Sequence, residues 1–290
     1  MELKRIGFIG TGIMGEAMAF HLMEAGYELS VYNRTKAKAD RLVEHGAKWC
    51  GTPAECARNQ DVVISIVGYP KDVEEVYFGE QGIFNGVKEG AYLIDMTTSS
   101  PALAQCIFQE AKERGLHAMD APVTGGDTGA KAGTLSILAG GEQEDFDAAL
   151  PVFQAMGKNI RYMGEAGAGQ KTKLCNQIAI AGALAGACEA LSYAKGCGLD
   201  GEEVLAAISG GAAGSFQLSN VAAKGLREDW DPGFMLKHFI KDMKLSQEAA
   251  LGCGLNLEVL SQVLKESLSL EEQGKGDLGT QALMEYYFKA

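Results

Sequence analysis

The sequence predicts an α/β N-terminal domain, residues 1–163, and an all-α C-terminal domain, residues 164–290, joined by a long helix. Two observations carry this. Up to about residue 162, short apolar runs alternate with stretches of helical periodicity, as in a mainly parallel sheet covered on both faces. After Gly164 almost everything reads as helix, broken at the glycine clusters KGCGLDG, ISGGAAGS, DPGF, GCG and QGKGDLG.

The elements follow in order. RIGFIG reads as a strand, and GIMGEAMAFHLMEAG as a helix that stops at Gly26. YELSVYN is the next strand, followed by a helix to about His45. DVVISIV, AYLIDM and GLHAMD are further apolar strands, and SPALAQCIFQEAKERG is a helix between two of them. GTLSILAGG and KNIRYMG complete the α/β part. The joining helix is expected from about Gly169 to Lys195. Within it the uncharged run Leu174 to Cys188 is too short for a membrane span and holds Asn and Gln, so it reads as a buried helix.

Composition narrows the function. The chain of 290 residues is 47% apolar and 22% charged, enough for a packed core under a wet surface. A net charge of −12 argues against nucleic acid or an anionic membrane as partner, while leaving room for a locally positive pocket and a small anionic substrate. Seven scattered cysteines with no Cys-x-x-Cys pair are neither a disulfide framework nor a zinc ribbon, and no metal site is expected. They read as reduced thiols of a cytoplasmic protein, and MELKRIGFIG runs straight into a strand pattern, without a secretory signal.

Gly10-Thr11-Gly12-Ile13-Met14-Gly15 fits G-x-G-x-x-G after a strand and at the start of a helix, the context a dinucleotide-binding loop needs. Its glycines let backbone approach a pyrophosphate, and the helix N-terminus favours the negative charge. At the end of the second strand stand Asn33, Arg34 and Thr35, where an NAD site usually has a carboxylate. A guanidinium there pairs with a 2′-phosphate, which predicts NADP in preference to NAD. Val67, Gly68 and Thr98 follow later strands and are candidates for the nicotinamide half, although Pro101 equally suits a capping turn. Thr124, Gly125 and Gly126 either offer a hydroxyl and two open N–H groups to a carboxylate or serve only to reverse the chain.

GEAGAGQKTKLCNQ, at the expected joint, departs from a Walker loop because Gln170 intervenes before Lys171-Thr172. On a helix, Lys173, Asn176 and Gln177 share a face at i, i+3 and i+4, with Ile180 and Leu184 continuing it. Lys171 points elsewhere. A lysine so placed can serve as general acid or base, or it can be a solvated charge; spacing alone does not decide.

Together these motifs resemble the β-hydroxyacid dehydrogenase family, which includes 3-hydroxyisobutyrate dehydrogenases, tartronate semialdehyde reductases and glyoxylate/succinic semialdehyde reductases. The resemblance spans IGFIGTGIMGEAM, DAPVTGGDTGAKAGTL, GAGQKTKLCNQ and FMLKHFIKDM, and so essentially the whole chain. It implies a Rossmann-type domain, a long interdomain helix and a helical domain that pairs subunits, as homodimer or homotetramer. It implies Lys173 as the catalytic lysine, Thr124 to Gly126 as the substrate-carboxylate loop, and Phe234 lining the substrate pocket. Lys241 falls where the family has a lysine reaching the cofactor, and Asp242 on its acidic neighbour, which the resemblance places at the substrate. Thr124 stands where serine is usual, adding a methyl that stiffens χ1. The substrate amide falls on either Asn176 or Gln177.

The expected activity is hydride transfer between NADP(H) and a small 3-hydroxy acid or semialdehyde. The rivals are a glyoxylate/succinic semialdehyde reductase and, from another class, a non-catalytic dinucleotide-binding scaffold. A phosphogluconate-type decarboxylating dehydrogenase usually has a longer C-terminal region, and imine reductases usually lack the lysine.

Overall fold

The computed structural model describes residues 3–288. It contains two compact units, Met1–Lys173 and Leu174–Ala290.

The N-terminal unit is built on one sheet. Its strands are β1 (Arg5–Ile9), β2 (Glu28–Tyr32), β3 (Lys48–Trp49), β4 (Val62–Ser65), β5 (Tyr92–Asp95), β6 (His117–Asp120), β7 (Val123–Thr124), β8 (Leu135–Gly140) and β9 (Gly157–Gly164). Its helices are α1 (Ile13–Glu24), α2 (Asp40–Glu44), α3 (Pro53–Ala57), α4 (Pro70–Phe78), α5 (Pro101–Glu113), α6 (Gly126–Lys131) and α7 (Gln143–Met156). The strand order is β3-β2-β1-β4-β5-β6-β8-β7, with β9 beside β8. From β3 to β6 every pairing is parallel, and β8 then runs antiparallel to β6 and β7. The first six strands have the order of the doubly wound dinucleotide fold, whose direction of winding reverses between β1 and β4.

Continuous apolar runs make these strands because both sheet faces are covered. Alternate residues feed two cores. Ile6, Phe8, Ile64 and Ile94 pack on one face with α1 and α7, while Ile9, Val63 and Leu93 pack on the other with Tyr77 and Ile107. Proline at the first turn opens α3, α4 and α5, where its missing N–H costs no helical bond. The two-residue β3 and the short α3 have too little periodicity to be visible in the sequence.

The C-terminal unit is helical: most of α8 (Ala168–Gly196), then α9 (Gly201–Ser209), α10 (Ala223–Leu226), α11 (Leu236–Gly252), α12 (Glu258–Glu272) and α13 (Met284–Phe288). Leu184, Cys188, Leu191, Phe239, Met243, Val263 and Leu283 form its core. A π-helical segment, Gln217–Ala222, leads into α10. The sequence suggested a run too short to span a membrane, but α8 extends beyond it at both ends. At 29 residues, with an 18-residue window of mean hydropathy 1.4, α8 has the length and apolarity of a span; 44% of that window is buried inside the protein.

The division of the chain between the two units falls after Lys173, past the expected joint at Gly164. The first turn of α8 is tied by its own hydrogen bonds to the N-terminal unit, as described next.

Candidate active site

The three glycines of the β1–α1 turn differ in what surrounds them. A Cβ on Gly10 would lie 2.0 Å from the Ile66 carbonyl oxygen, and one on Gly15 would lie 1.9 Å from the Gly10 oxygen. Gly10 also has φ +99°, a conformation that favours glycine. A Cβ on Gly12 would meet nothing within 4 Å among the described residues. So the first glycine makes the turn, the third lets helix pack on strand, and the second leaves open space in front of the backbone. This is the division of labour a pyrophosphate site requires. The Thr11 hydroxyl is buried without a partner among the described residues, and its backbone N–H donates to Asn33 Oδ1 at 3.1 Å. The loop therefore fits a dinucleotide phosphate. Ile13 is exposed and Met14 half-buried at the opening turn of α1.

Beyond β2, Asn33 is occupied with the loop itself: Oδ1 holds Thr11 and Nδ2 donates to the Thr35 carbonyl at 2.9 Å. Thr35 is exposed. The Arg34 side chain is 87% exposed and rests against Asp72 on α4 at 3.3 Å. Asp72 in turn accepts from Tyr69 N–H at 3.0 Å and caps α4. Arg34 is thus an exposed guanidinium with a surface pairing to Asp72, and the residue that follows β2 is Asn33 and not a carboxylate.

Val67 and Gly68 leave β4 half-buried, and Val67 N–H donates to Thr97 Oγ1 at 3.0 Å. Thr98 is half-buried in the turn after β5. Ser100 caps α5 with a long bond, 3.5 Å to Leu103 N–H, so the capping reading of this turn holds for Ser100. Thr124 ends β7, paired to Ser136. Gly125 and Gly126 are exposed with φ of +128° and +63°, which explains why both are glycine.

Two buried residues to which the sequence assigned no site role organise the start of α8. Asp120, at the end of β6, accepts from Gly167 N–H and Gln170 N–H, both at 2.7 Å. Gln170 is fully buried; its Nε2 donates to the Thr97 carbonyl at 2.7 Å and its Oε1 accepts from Ser99 N–H at 2.9 Å. The first turn of α8 is therefore locked to the ends of β5 and β6. Burial outweighs the two backbone donors and pushes the Asp120 carboxyl up to about 6; its neighbour Asp95 is pushed up to about 6 by the same cause. The available signal was the carboxylate at a strand end, and Gln170 standing where a Walker lysine would be. One turn on, Lys173 is 7% exposed, whereas Lys171 is exposed. The two lysines thus fall on different sides of the helix, as their spacing implied.

In the C-terminal unit, Gln177 is 1% exposed and Asn176 half-buried. Asn176 Nδ2 donates to Gln177 Oε1 at 2.7 Å, and Gln177 Nε2 donates to Asp242 Oδ2 at 2.6 Å. Asp242 is 2% exposed, so the acidic neighbour expected at the substrate is enclosed by protein. Its Oδ1 lies 2.9 Å from Lys241 Nζ, an ion pair without hydrogen-bond alignment. Phe234 precedes α11, exposed and edge-on to Phe239. Phe216 is exposed, and burial with nearby Lys241 lowers the pKa of His238. Among the described residues no group of His, Cys, Asp and Glu is placed to hold a metal ion.

Residues 5–164 match the family model described as the NAD binding domain of 6-phosphogluconate dehydrogenase, and residues 167–287 match that described as NAD-binding of NADP-dependent 3-hydroxyisobutyrate dehydrogenase. The chain is 51% identical to an uncharacterized oxidoreductase of Bacillus subtilis, across 99% of each. It is 36% identical to 2-hydroxy-3-oxopropionate reductase of Escherichia coli, across 87% of this chain and 86% of that one. Its structure resembles Mycobacterium tuberculosis 3-hydroxyisobutyrate dehydrogenase with L-serine, at a TM-score of 0.89 and 26% identity, covering 98% and 99% of the two chains. The glycine loop, the winding of the sheet and the two family models agree: this chain belongs to the β-hydroxyacid dehydrogenase family and is an NAD(P)-dependent oxidoreductase.

Proposed function

We propose that this enzyme transfers a hydride between NADP(H) and a small 3-hydroxy acid or its semialdehyde, of the 3-hydroxyisobutyrate or tartronate semialdehyde type. The observation that carries the reading is Lys173: a lysine 7% exposed, one turn after a helix start clamped to two strand ends. A lysine withdrawn from water on so rigid a mount suits proton transfer better than surface solvation. Lys173 gives a proton to the carbonyl oxygen during reduction and takes it back during oxidation. When bound, the nicotinamide supplies the hydride.

Gly10 to Gly15 hold the pyrophosphate, with Gly12 facing it. Arg34 and Thr35 take the 2′-phosphate, and the exposed guanidinium supports NADP over NAD. Val67, Gly68, Thr98 and Lys241 serve the cofactor; Thr124, Gly125 and Gly126 take the substrate carboxylate, and Phe234 its apolar side. The substrate class is supported by the names of the Escherichia coli and Mycobacterium tuberculosis relatives. We also place the enzyme in the cytoplasm as a homodimer or homotetramer acting on a small anionic substrate, without nucleic acid or membrane; seven free thiols and a net charge of −12 support this.

The test is a panel of tartronate, methylmalonate and succinate semialdehydes and glyoxylate, followed at the NADPH absorbance and repeated with NADH. Preference for glyoxylate or succinate semialdehyde moves the assignment to that branch. A protein that binds NADPH but oxidises it with none of them is a scaffold.

A further inference from the structure

The amide chain in the C-terminal unit has a direction. Asp242 lies against the Lys241 ammonium at 2.9 Å, and a carboxylate so placed accepts hydrogen bonds and does not donate them. The end of Gln177 that meets it at 2.6 Å is therefore the NH2 group. That turns Gln177 Oε1 toward Asn176, and Asn176 must present its own NH2, at 2.7 Å. Each amide along the chain has one permitted orientation, and Asp242 imposes it. Gln177 is 1% exposed with both ends of its amide engaged, whereas Asn176 is half-buried and keeps Oδ1 and one N–H outside this chain.

We propose that Asp242 and Gln177 are positioning residues that hold Asn176 in one orientation, and that Asn176 is the amide that meets the substrate. This rests on the reading of the chain as a hydroxyacid dehydrogenase. An amide that flips exchanges a donor for an acceptor, so an unheld Asn176 also populates the orientation that offers the substrate oxygen the wrong group. Asp242 thus acts at a distance from the substrate, through two side-chain amides.

The test compares four proteins, with tartronate and methylmalonate semialdehydes as probes and NADPH saturating. Asp242→Asn removes the directional lock, because its side chain both donates and accepts. It is expected to raise KM by about 10–100-fold, the loss of one aligned hydrogen bond, with a smaller change in kcat. Asn176→Ala is expected to raise KM to a similar degree. The decisive variant is Asp242→Asn combined with Gln177→Glu. Asn at 242 then donates to a carboxylate at 177, whose other oxygen accepts from Asn176, and the original orientation is restored. Recovery of KM to within about fivefold of the unaltered enzyme is the expected result, on the same hydrogen-bond scale. A double variant as impaired as Asp242→Asn overturns the proposal, as does an unchanged KM in Asn176→Ala, which tests it even if Asp242→Asn fails to fold. If the unaltered enzyme reduces neither probe, the functional reading fails separately. The relay is then decided by melting temperatures, with the Asn176→Ala/Asp242→Asn double variant as a fifth protein: the two losses must be non-additive, and additive losses overturn it.

Discussion

Replacing Asp120 with Asn tests the lock on α8 through its pH dependence. The native carboxyl is pushed up to about 6 from an ordinary value of 3.8, burial being the main cause. The native state therefore binds a proton between about pH 4 and 6 that the unfolded chain does not. In that window stability falls as pH rises, and the penalty is complete above the native value. Lowering the pH from 7 to 5 recovers about 1 kcal/mol at this site, since one pKa unit is worth about 1.4 kcal/mol. Asn at 120 has no such titration. Loss of the charge at 120 also lowers the pKa of Asp95, which Asp120 helps to raise, and this acts in the same direction. The melting temperature of the unaltered protein should thus gain about 2–4 °C on the variant between pH 7 and pH 5. At pH 7 the variant keeps one acceptor for the two N–H groups of Gly167 and Gln170, so the mount of Lys173 loosens and kcat falls. Scanning calorimetry at the two pH values is the assay. A gap that stays constant, or moves in favour of the variant on acidification, refutes the assignment of a buried, high-pKa carboxylate at the start of α8.

Other changes separate ligand groups from structural ones. Lys173→Ala should lower kcat by roughly 10²–10⁴ with NADPH binding nearly intact, whereas Lys171→Ala should stay within a few-fold; steady-state kinetics and NADPH fluorescence distinguish them. Arg34→Ala should weaken NADPH by about 10–100-fold and NADH little, the worth of a charge-assisted hydrogen bond, and equal losses by titration would remove the basis for NADP preference. Gly12→Ala should leave the melting temperature unchanged and abolish tight dinucleotide binding, because its Cβ enters open space. Gly169→Ala should do the reverse and destabilise by about 1–3 kcal/mol or more, since its Cβ would sit 2.3 Å from the Leu138 carbonyl oxygen.

The sequence made the fold class legible because strand and helix leave different periods, and because helices must stop at glycine clusters. It made the glycine loop legible, and the placing of Lys171 and Lys173 on different sides of α8, because local geometry alone sets which residues share a turn or a face; a role for Lys173 came only with the family resemblance. What it concealed is non-local. Nothing near Gln170 in the chain reveals that its amide spans the 97–99 turn, 71 to 73 residues away. Likewise Gln177 and Asp242 are 65 residues apart, so the hydrogen bond that sets Gln177 apart from Asn176 leaves no mark in the sequence. The short β3 and α3 escaped for a different reason: elements of two and five residues carry less than one readable period.

The lock on α8 has a consequence for dissecting the protein. Glycines mark the end of β9, and a fragment cut there would look like a whole dinucleotide-binding domain. Such a fragment would keep Asp120 and the turn after β5 while discarding Gly167 and Gln170, their partners. A buried carboxylate and two backbone groups would face water or one another. A fragment continued through Lys173 retains every one of these bonds. The same reasoning applies to hydrogen exchange along α8: its first turn should open with the sheet and its later turns with the helical core, so one unbroken helix should exchange at two different rates.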